Sequence, residues 1–284
     1  MVNIAVFPNV EKPEAPMVLE RIVRFFEGRD VRLMLSEKDA AFFHREDFGV
    51  PSIDEEPTDM AISIGGDGTL LGICRRVYGR DVPVCGVNIG TFGFLADIEI
   101  SELEGKLSKI LSGGYHLEER MIIAGFVGSG TGKERFLGRA LNDIVVTKGG
   151  AARMLRLGLT VDGCRVMDYS ADGLIVSTAT GSTAYSLSAG GPLINPKVKG
   201  LLLTPICPHT FNARPMVMDE NDEIKIGVNA FHRDIIVTFD GQESFKLLPG
   251  DDVTVRRAEK PAKIVKFSDK NYYQTIRTKL LRNA

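Results

Sequence analysis

Cysteine and histidine are sparse in this sequence, and their scatter removes whole classes of chemistry. The four cysteines, Cys74, Cys85, Cys164 and Cys207, form no C-x-x-C pair and no zinc-type spacing. A disulfide-stapled fold and a zinc module are therefore excluded, and the cysteines are expected to be reduced and buried. The four histidines, His44, His116, His209 and His232, are equally dispersed, and neither a metal cluster nor a Ser-His-Asp triad is legible among them. Surplus charge is missing as well. A net charge of -2 leaves no basic excess to neutralise phosphates, so no general attraction to nucleic acid or an anionic membrane is expected. No apolar run is long enough to span a bilayer, and the opening "MVNIAVFPNV" lacks the basic segment, apolar core and cleavage site of a signal peptide. The expectation is a cytoplasmic enzyme.

What is present is ample material for a core. With 284 residues, 44% of them hydrophobic and 25% charged, the chain has enough to form one large or two ordinary domains. From Val2 to about Ile98, short apolar runs ("VNIAVF", "VRLML", "MAISI", "VPVCGVNIG") alternate with helical spacing ("PMVLERIVRFFEG", "TLLGICRRVYG"). That order predicts a mostly parallel sheet covered by helices, Rossmann-like in plan. One more amphipathic helix lies in "SELEGKLSKILSGG", stopped by its glycine pair. After Tyr115 strand-like runs follow one another, and Asp162-Gly163 and Asp240-Gly241 mark two-residue hairpins, so a β-rich, largely antiparallel domain is expected. The tail regains helical spacing at Tyr273, Ile276, Leu280 and Leu281. The expected division is an α/β domain over 1–100, a β-rich domain over 101–268, and a terminal helix over 269–284 packing back on the first domain.

The stretch "MAISIGGDGTLLGICRRV", Met60 to Val77, changes character in its middle. Asp-Gly alone is usually a turn. Here the turn follows a parallel strand and opens a helix, where free backbone N–H groups and the helix dipole favour phosphate, and such strand ends are where ligands bind in open α/β sheets. Gly65, Gly66 and Gly68 let backbone approach phosphate oxygens, and Thr69 caps the helix or assists that contact. A carboxylate beside phosphate is repulsive unless it accepts a proton from an attacking hydroxyl or helps to hold a metal bound to the phosphates. Asp67 is assigned to one of these two roles.

Other segments are weighed against plainer readings. "GSGTGKER", Gly128 to Arg135, imitates a P-loop but is one residue short, and Glu134 stands where a magnesium-binding Ser or Thr belongs, so it reads as a hairpin loop. "DYSADGLIVSTATGSTAYSLSAGGPLINP" offers the hydroxyls of Ser177, Thr178, Thr180, Ser182 and Thr183 and the ring of Tyr185. Composition balances a ligand surface evenly against a Ser/Thr-rich turn. In "TPICPHTFNARPMV", His209 reads as structural. Asn142-Asp143, at the start of a strand, reads in isolation as turn chemistry, with ribose hydroxyls as the alternative partner.

Taken in order, "GGDGT" (65–69), "NIGTFGFL" (88–95), "LND" (141–143), "DGLIVSTATGSTAYSLSAGGP" (172–192), "LTPICPHT" (203–210) and "DGQ" (240–242) resemble the NAD kinase family over most of the chain. "GGDGT" is shared with phosphofructokinase and with diacylglycerol and sphingosine kinases; the long Ser/Thr segment is specific. The resemblance implies magnesium-requiring phosphorylation of the adenosine ribose 2′-hydroxyl of NAD by ATP, Mg2+ travelling with the ATP, in a homodimer or homotetramer. By matching motifs, Asp67 is the base, Gly68 lies beside the nucleotide, and Gly65, Gly66, Thr69 and Asn88 belong to the nucleotide site, with the glycine turn facing the ATP phosphates. Asn142 and Asp143 contact adenosine and ribose hydroxyls. Thr180 and the run containing Thr183, Ala184, Tyr185 and Ser188 line the dinucleotide pocket, and Asp172 reaches the nicotinamide end from a neighbouring subunit. Arg153, Ser170 and Gln242 match further NAD-contacting positions.

The sequence departs from the family pattern at a few positions. Ala179 replaces a usual proline, Phe92 a leucine, Asp143 a common glutamate, and Ser170 falls where some members carry arginine. "FNARP" follows His209 where Leu-Ser is frequent. Two rivals remain at this stage: a lipid or sugar kinase using the same turn, for which no acyl slot or membrane-facing patch is evident, and a non-catalytic NAD-binding sensor, disfavoured by the intact Asp67.

Overall fold

The computed structural model describes residues 1–90, 93–128, 133–150, 153–209, 212–230, 233–268 and 271–280. The chain divides into two compact units, residues 1–119 with 262–284, and residues 120–261. Along the first unit run β1 (Val2–Pro8), α1 (Ala15–Phe26), β2 (Val31–Ser36), α2 (Glu37–Phe42), β3 (Gly49–Val50), β4 (Met60–Gly65), α3 (Asp67–Arg76), β5 (Val84–Asn88), β6 (Ile98–Glu99), α4 (Leu103–Leu111) and β7 (His116–Arg120). The second unit contains β8 (Ile123–Gly128), β9 (Arg135–Ala140), β10 (Asp143–Lys148), β11 (Leu155–Val161), β12 (Cys164–Ala171), β13 (Gly173–Thr178), α5 (Tyr185–Ser188), β14 (Gly200–Ile206), β15 (Met216–Asp219), β16 (Ile224–Asn229), β17 (Ile235–Phe239), β18 (Glu243–Leu247) and β19 (Asp252–Arg257). The chain then returns to the first unit with β20 (Ala262–Lys266) and α6 (Tyr272–Leu280).

The first unit is the expected α/β layer. Its sheet has the order β3-β2-β1-β4-β5-β20-β7, with β6 also on β5. The pairs β1–β2, β1–β4, β4–β5 and β5–β20 are all parallel. Because β1 pairs with β2 on one side and β4 on the other, the chain changes direction of winding there, and the carboxyl ends of β1 and β4 flank the crevice where open sheets of this type bind ligands. Helix α1 buries Ala15, Val18, Leu19, Ile22 and Phe26, a 3.6-residue stripe that meets Ile4, Val6, Ile62 and Ile64 from the sheet. Helix α6 belongs to this unit through Lys279, whose Nζ lies 4.1 Å from the Phe94 ring centroid. Tyr273, expected on the packing face of that helix, is instead 68% exposed, and Leu281 lies outside the described residues.

The second unit is built of two six-stranded antiparallel sheets, β15-β14-β13-β10-β17-β18 and β12-β11-β16-β19-β8-β9. Alternate residues such as Leu155, Leu157 and Leu159 from one sheet and Ile144, Val146, Leu174 and Val176 from the other form a common core, as the two-residue period of a strand requires. Phe239 is seated over Gly125 and Gly138, and a Cβ at Gly125 would come within 2.7 Å of its ring. Both Asp-Gly hairpins are present, with positive φ at Asp162, Gly163, Asp240 and Gly241, the backbone a two-residue turn of primed type demands. Residues 139–147 are shared between two strands, β9 ending at Ala140 and β10 starting at Asp143. Strands β8 and β9 pair as a hairpin around the false P-loop, of which Ser129 to Gly132 lie outside the described residues.

The cysteines need one correction. All four are free thiols, and Cys74 and Cys85 are buried, but Cys164 and Cys207 are exposed. Cys164 opens β12 directly after the Asp162-Gly163 turn, and Cys207 has φ 43° just beyond β14; turn positions face water whatever the residue.

Candidate active site

In the first unit the candidate residues gather at the turn between β4 and α3. Gly66 is the N-cap of α3, and no side chain caps the helix, so of the two roles open to Thr69 capping is not realised. Thr69 Oγ1 instead accepts from Asn9 Nδ2 at 3.3 Å, tying the end of β1 to the first turn of α3, while a Cβ on Gly65 would collide with the Thr69 side chain. Asn88 closes β5 opposite Gly65. Its Oδ1 is buried and has no hydrogen-bond partner, the mark of a polar atom awaiting a ligand or water.

Asp67 is the first residue of α3, where the helix dipole favours negative charge. Its carboxylate collects three consecutive amides: Oδ2 accepts from Phe94 N at 2.6 Å, and Oδ1 from Leu95 N at 3.1 Å and Ala96 N at 3.2 Å. Gly93 must lack a side chain for this, because a Cβ there would overlap Asp67 Oδ1. The same loop is held from behind by buried Lys266, whose Nζ donates to Leu95 O at 2.9 Å and pairs with Asp97 Oδ1 at 3.4 Å; Asp97 Oδ2 in turn accepts from Phe267 N. A carboxylate has about four acceptor directions. Three are taken, and the fourth is left on Oδ2.

The second unit repeats the device. Asp240, in its hairpin turn, accepts from Leu141 N with Oδ2 at 3.1 Å and from Asn142 N and Asp143 N with Oδ1 at 2.7 and 3.2 Å. From the other side Thr178 N donates to Asn142 O at 2.9 Å, Thr178 Oγ1 donates to Leu141 O at 2.6 Å and accepts from Gly181 N at 3.1 Å. A side chain on Gly181 would strike Asn142 O. Asn142 and Asp143 are therefore fixed by their backbones, leaving the side chains to other partners. Asn142 Oδ1 is buried without one. Asp143 is 4% exposed, and burial, with Asp240 nearby, raises its carboxyl to about 7.

The Ser/Thr run, evenly balanced by composition, divides into two sets. Ser177, Ser182 and Ser186 spend their hydroxyls internally, on Thr178 O, on Ala179 O and Ile194 O, and against Thr204 Oγ1. Thr180 is buried beside Arg120, whose Nη1 donates to its Oγ1 at 3.4 Å, and Thr183 Oγ1 donates to Thr180 O. Tyr185 opens α5 and is 45% exposed. Burial raises its phenol, and the charges of Cys207, Asp143 and Asp172 add to that shift. Ala184 is half-buried and Ser188 exposed. Asp172 is committed to an ion pair with Lys148 at 2.9 Å. Ser170, on β12, is half-buried and uses its carbonyl on His209 N; Arg153 and Gln242 are exposed.

Residues 11–115 match the ATP-NAD kinase N-terminal domain and residues 141–267 the ATP-NAD kinase C-terminal domain. An NAD kinase of Moorella thermoacetica is 42% identical over 99% of this chain and 89% of its own length, and one of Geobacter metallireducens is 40% identical over 99% and 98%. The chain belongs to the ATP-NAD kinase family. Among solved structures, an NAD kinase from Archaeoglobus fulgidus in complex with ATP superposes with a TM-score of 0.77 at 28% identity, covering 99% of both chains. A yeast NADH kinase complexed with NADH shares the fold, with a TM-score of 0.89 at 23% identity over 99% of this chain and 88% of that one.

Within this family fold, sequence reading passed over Asp240 as a mere hairpin residue and overlooked Gly93 and Arg120. Asp240 carried a signal, its place in "DGQ"; a single buried arginine such as Arg120 carries none. Tyr185→Ala is expected to raise KM for NAD several-fold with kcat nearly unchanged, because a half-exposed ring at the mouth of a small-residue segment offers a stacking face. Steady-state kinetics check it, and an unchanged KM removes Tyr185 from the pocket.

Proposed function

We propose that this chain transfers the γ-phosphoryl group of ATP to the 2′-hydroxyl of the adenosine ribose of NAD, with Asp67 as general base. The observation that carries this reading is the Asp67 carboxylate, fixed by Phe94, Leu95 and Ala96 amides with one acceptor direction remaining on Oδ2. The 2′-oxygen attacks the γ-phosphorus, its bond to the β,γ-bridging oxygen breaks, ADP leaves, and the hydroxyl proton passes to Oδ2. Positioning is the remaining requirement. Asn142 and Asp143 receive the adenosine and ribose polar groups, Thr180, Thr183, Ala184, Tyr185 and Ser188 line the dinucleotide, and Arg153, Ser170, Asp172 and Gln242 complete its contacts. Gly65, Gly66, Gly68, Thr69 and Asn88 bound the phosphate side.

Among the described residues no three His, Cys, Asp or Glu side chains converge on a point. A lone carboxylate fits a Mg2+ that keeps its waters and arrives on the phosphates; when bound, that ion neutralises phosphate charge beside Asp67. No helix among the described residues is long and apolar enough to cross a membrane. A cytoplasmic homodimer or homotetramer belongs to the same reading and is checked by a solution mass measurement.

The deciding experiment is turnover of NAD and NADH with ATP or polyphosphate, scored as NADP or NADPH formed. NADP appearing only with NAD and a phosphoryl donor supports the reading. Binding of NAD without any product makes the chain a sensor, and phosphorylation of a lipid or sugar alcohol in place of NAD makes it a different kinase.

A further inference from the structure

The glycine turn presents a problem of charge. A triphosphate reaching the carboxyl ends of β1 and β4 meets Asp67, an anion, and the motif itself brings no cation. A cation does come from elsewhere in the first unit. Near the end of the described part of α6, Lys279 holds its Nζ 4.1 Å from the centroid of the Phe94 ring, and Phe94 is the residue whose amide donates to Asp67 Oδ2. The ammonium and the carboxylate are thus gathered around one residue. The ammonium rests on an aromatic face, an attachment worth about 0.5–2 kcal/mol, while Asp67 takes its hydrogen bonds from the amides of the same loop.

We propose that Lys279 is a phosphate-binding residue of the active site, delivered by the C-terminal helix to contact the γ-phosphoryl oxygens of the ATP at the Gly65–Thr69 turn. The proposal rests on the phosphoryl-transfer reading above. Partial burial lowers the Lys279 ammonium and the Asp67 charge opposes that fall, so the side chain is a partly desolvated cation with an anion in range, a setting in which a further phosphate contact is strong. Asn88, with its buried and unpartnered Oδ1 at the end of β5, marks the same end of the sheet as unfinished without a ligand.

Lysine recognises phosphate as a point charge and carries no information about the base. Lys279→Met keeps the aliphatic stem and removes the charge. KM for ATP is expected to rise about 10- to 100-fold, the worth of a charge-assisted contact, KM for NAD to stay within about twofold, and inorganic tripolyphosphate to weaken as a competitive inhibitor by the same factor. Lys279→Arg, which keeps both the charge and the aromatic contact, should recover most of the ATP affinity. If the ammonium only fastens α6 to Phe94, Lys279→Met lowers the melting temperature and leaves KM for ATP alone; that result overturns the proposal, as does an equal rise in KM for NAD.

A second measurement on the unmodified protein covers the case in which the variant does not fold. Reductive methylation of lysines, read by mass spectrometry, should show Lys279 protected by Mg-ATP and by tripolyphosphate but not by NAD. Protection by NAD alone, or no protection, also overturns it. Failure of Lys279 as a phosphate ligand is distinguishable from failure of the kinase reading, because the wild-type protein then still forms NADP.

Discussion

Asp67→Asn is expected to lower kcat for NADP formation by about 10²–10⁴-fold, the usual worth of a general base, with NAD affinity changed no more than a few-fold. The structure adds a second effect. An asparagine oxygen can still accept from Leu95 and Ala96, but its Nδ2 then faces the amide of Phe94, donor against donor, where Oδ2 now accepts at 2.6 Å. Leaving that amide unsatisfied costs about 1–3 kcal/mol, so the variant should also melt earlier and its 93–97 loop should exchange amide protons faster. The two effects separate kinetically. Loss of the base slows the chemical step in a single-turnover experiment at saturating substrates, whereas a loosened loop alone shows itself in KM for ATP and in protection of the Phe94 amide. Near-normal single-turnover rates in a folded Asp67→Asn protein would make the carboxylate a loop clamp and nothing more.

The amide clamp on Asp67 illustrates what could and could not be read from the sequence. A strand, a glycine turn and a helix around Asp67 were legible because apolar spacing changes period from two to 3.6 across Gly65–Thr69. The three amides of Phe94, Leu95 and Ala96 were not, since they lie some 27 to 29 residues on and backbone donors leave no trace in composition. The Asp-Gly pairs at 162–163 and 240–241 announced their hairpins for a local reason, the positive φ that Gly tolerates. Both side chains also clamp distant backbone, Asp162 Oδ1 accepting from Glu223 N at 2.9 Å and Asp240 reaching back about a hundred residues to Asn142 and Asp143, and a turn signature reveals neither. Likewise β20 pairs with β5, some 180 residues earlier in the chain, a partnership that periodicity does not carry. The Ser/Thr run shows no such difference in sequence, because hydroxyls spent on Ala179 O or Thr204 Oγ1 look there like hydroxyls kept for a ligand.

Asp143→Asn should abolish a pH dependence that the wild type shows in both stability and NAD binding. Burial, with Asp240 nearby, raises the Asp143 carboxyl to about 7, whereas in the unfolded chain it titrates near its ordinary value of about 3.9. The folded protein therefore holds a proton that the unfolded chain has released, and stability from this group is complete below about pH 4 and lost as pH rises through about 7. A separation of about three pH units corresponds to about 4 kcal/mol over the whole window. Asparagine has the shape of the protonated acid and no charge to desolvate. The denaturation midpoint of the variant, relative to wild type, should therefore rise between about pH 4 and 7 and level off above. Binding runs the other way: the ionised carboxylate is the better acceptor for ribose hydroxyls, so KM for NAD in the wild type should fall as pH climbs through about 7, while in Asp143→Asn it should be higher and flat. Opposite slopes for stability and affinity in one protein, both removed by one substitution, are difficult to obtain from a carboxylate that merely ends a turn. A wild-type KM for NAD that is flat from pH 6 to 8, or a variant that retains the wild-type slope, would separate Asp143 from the ribose.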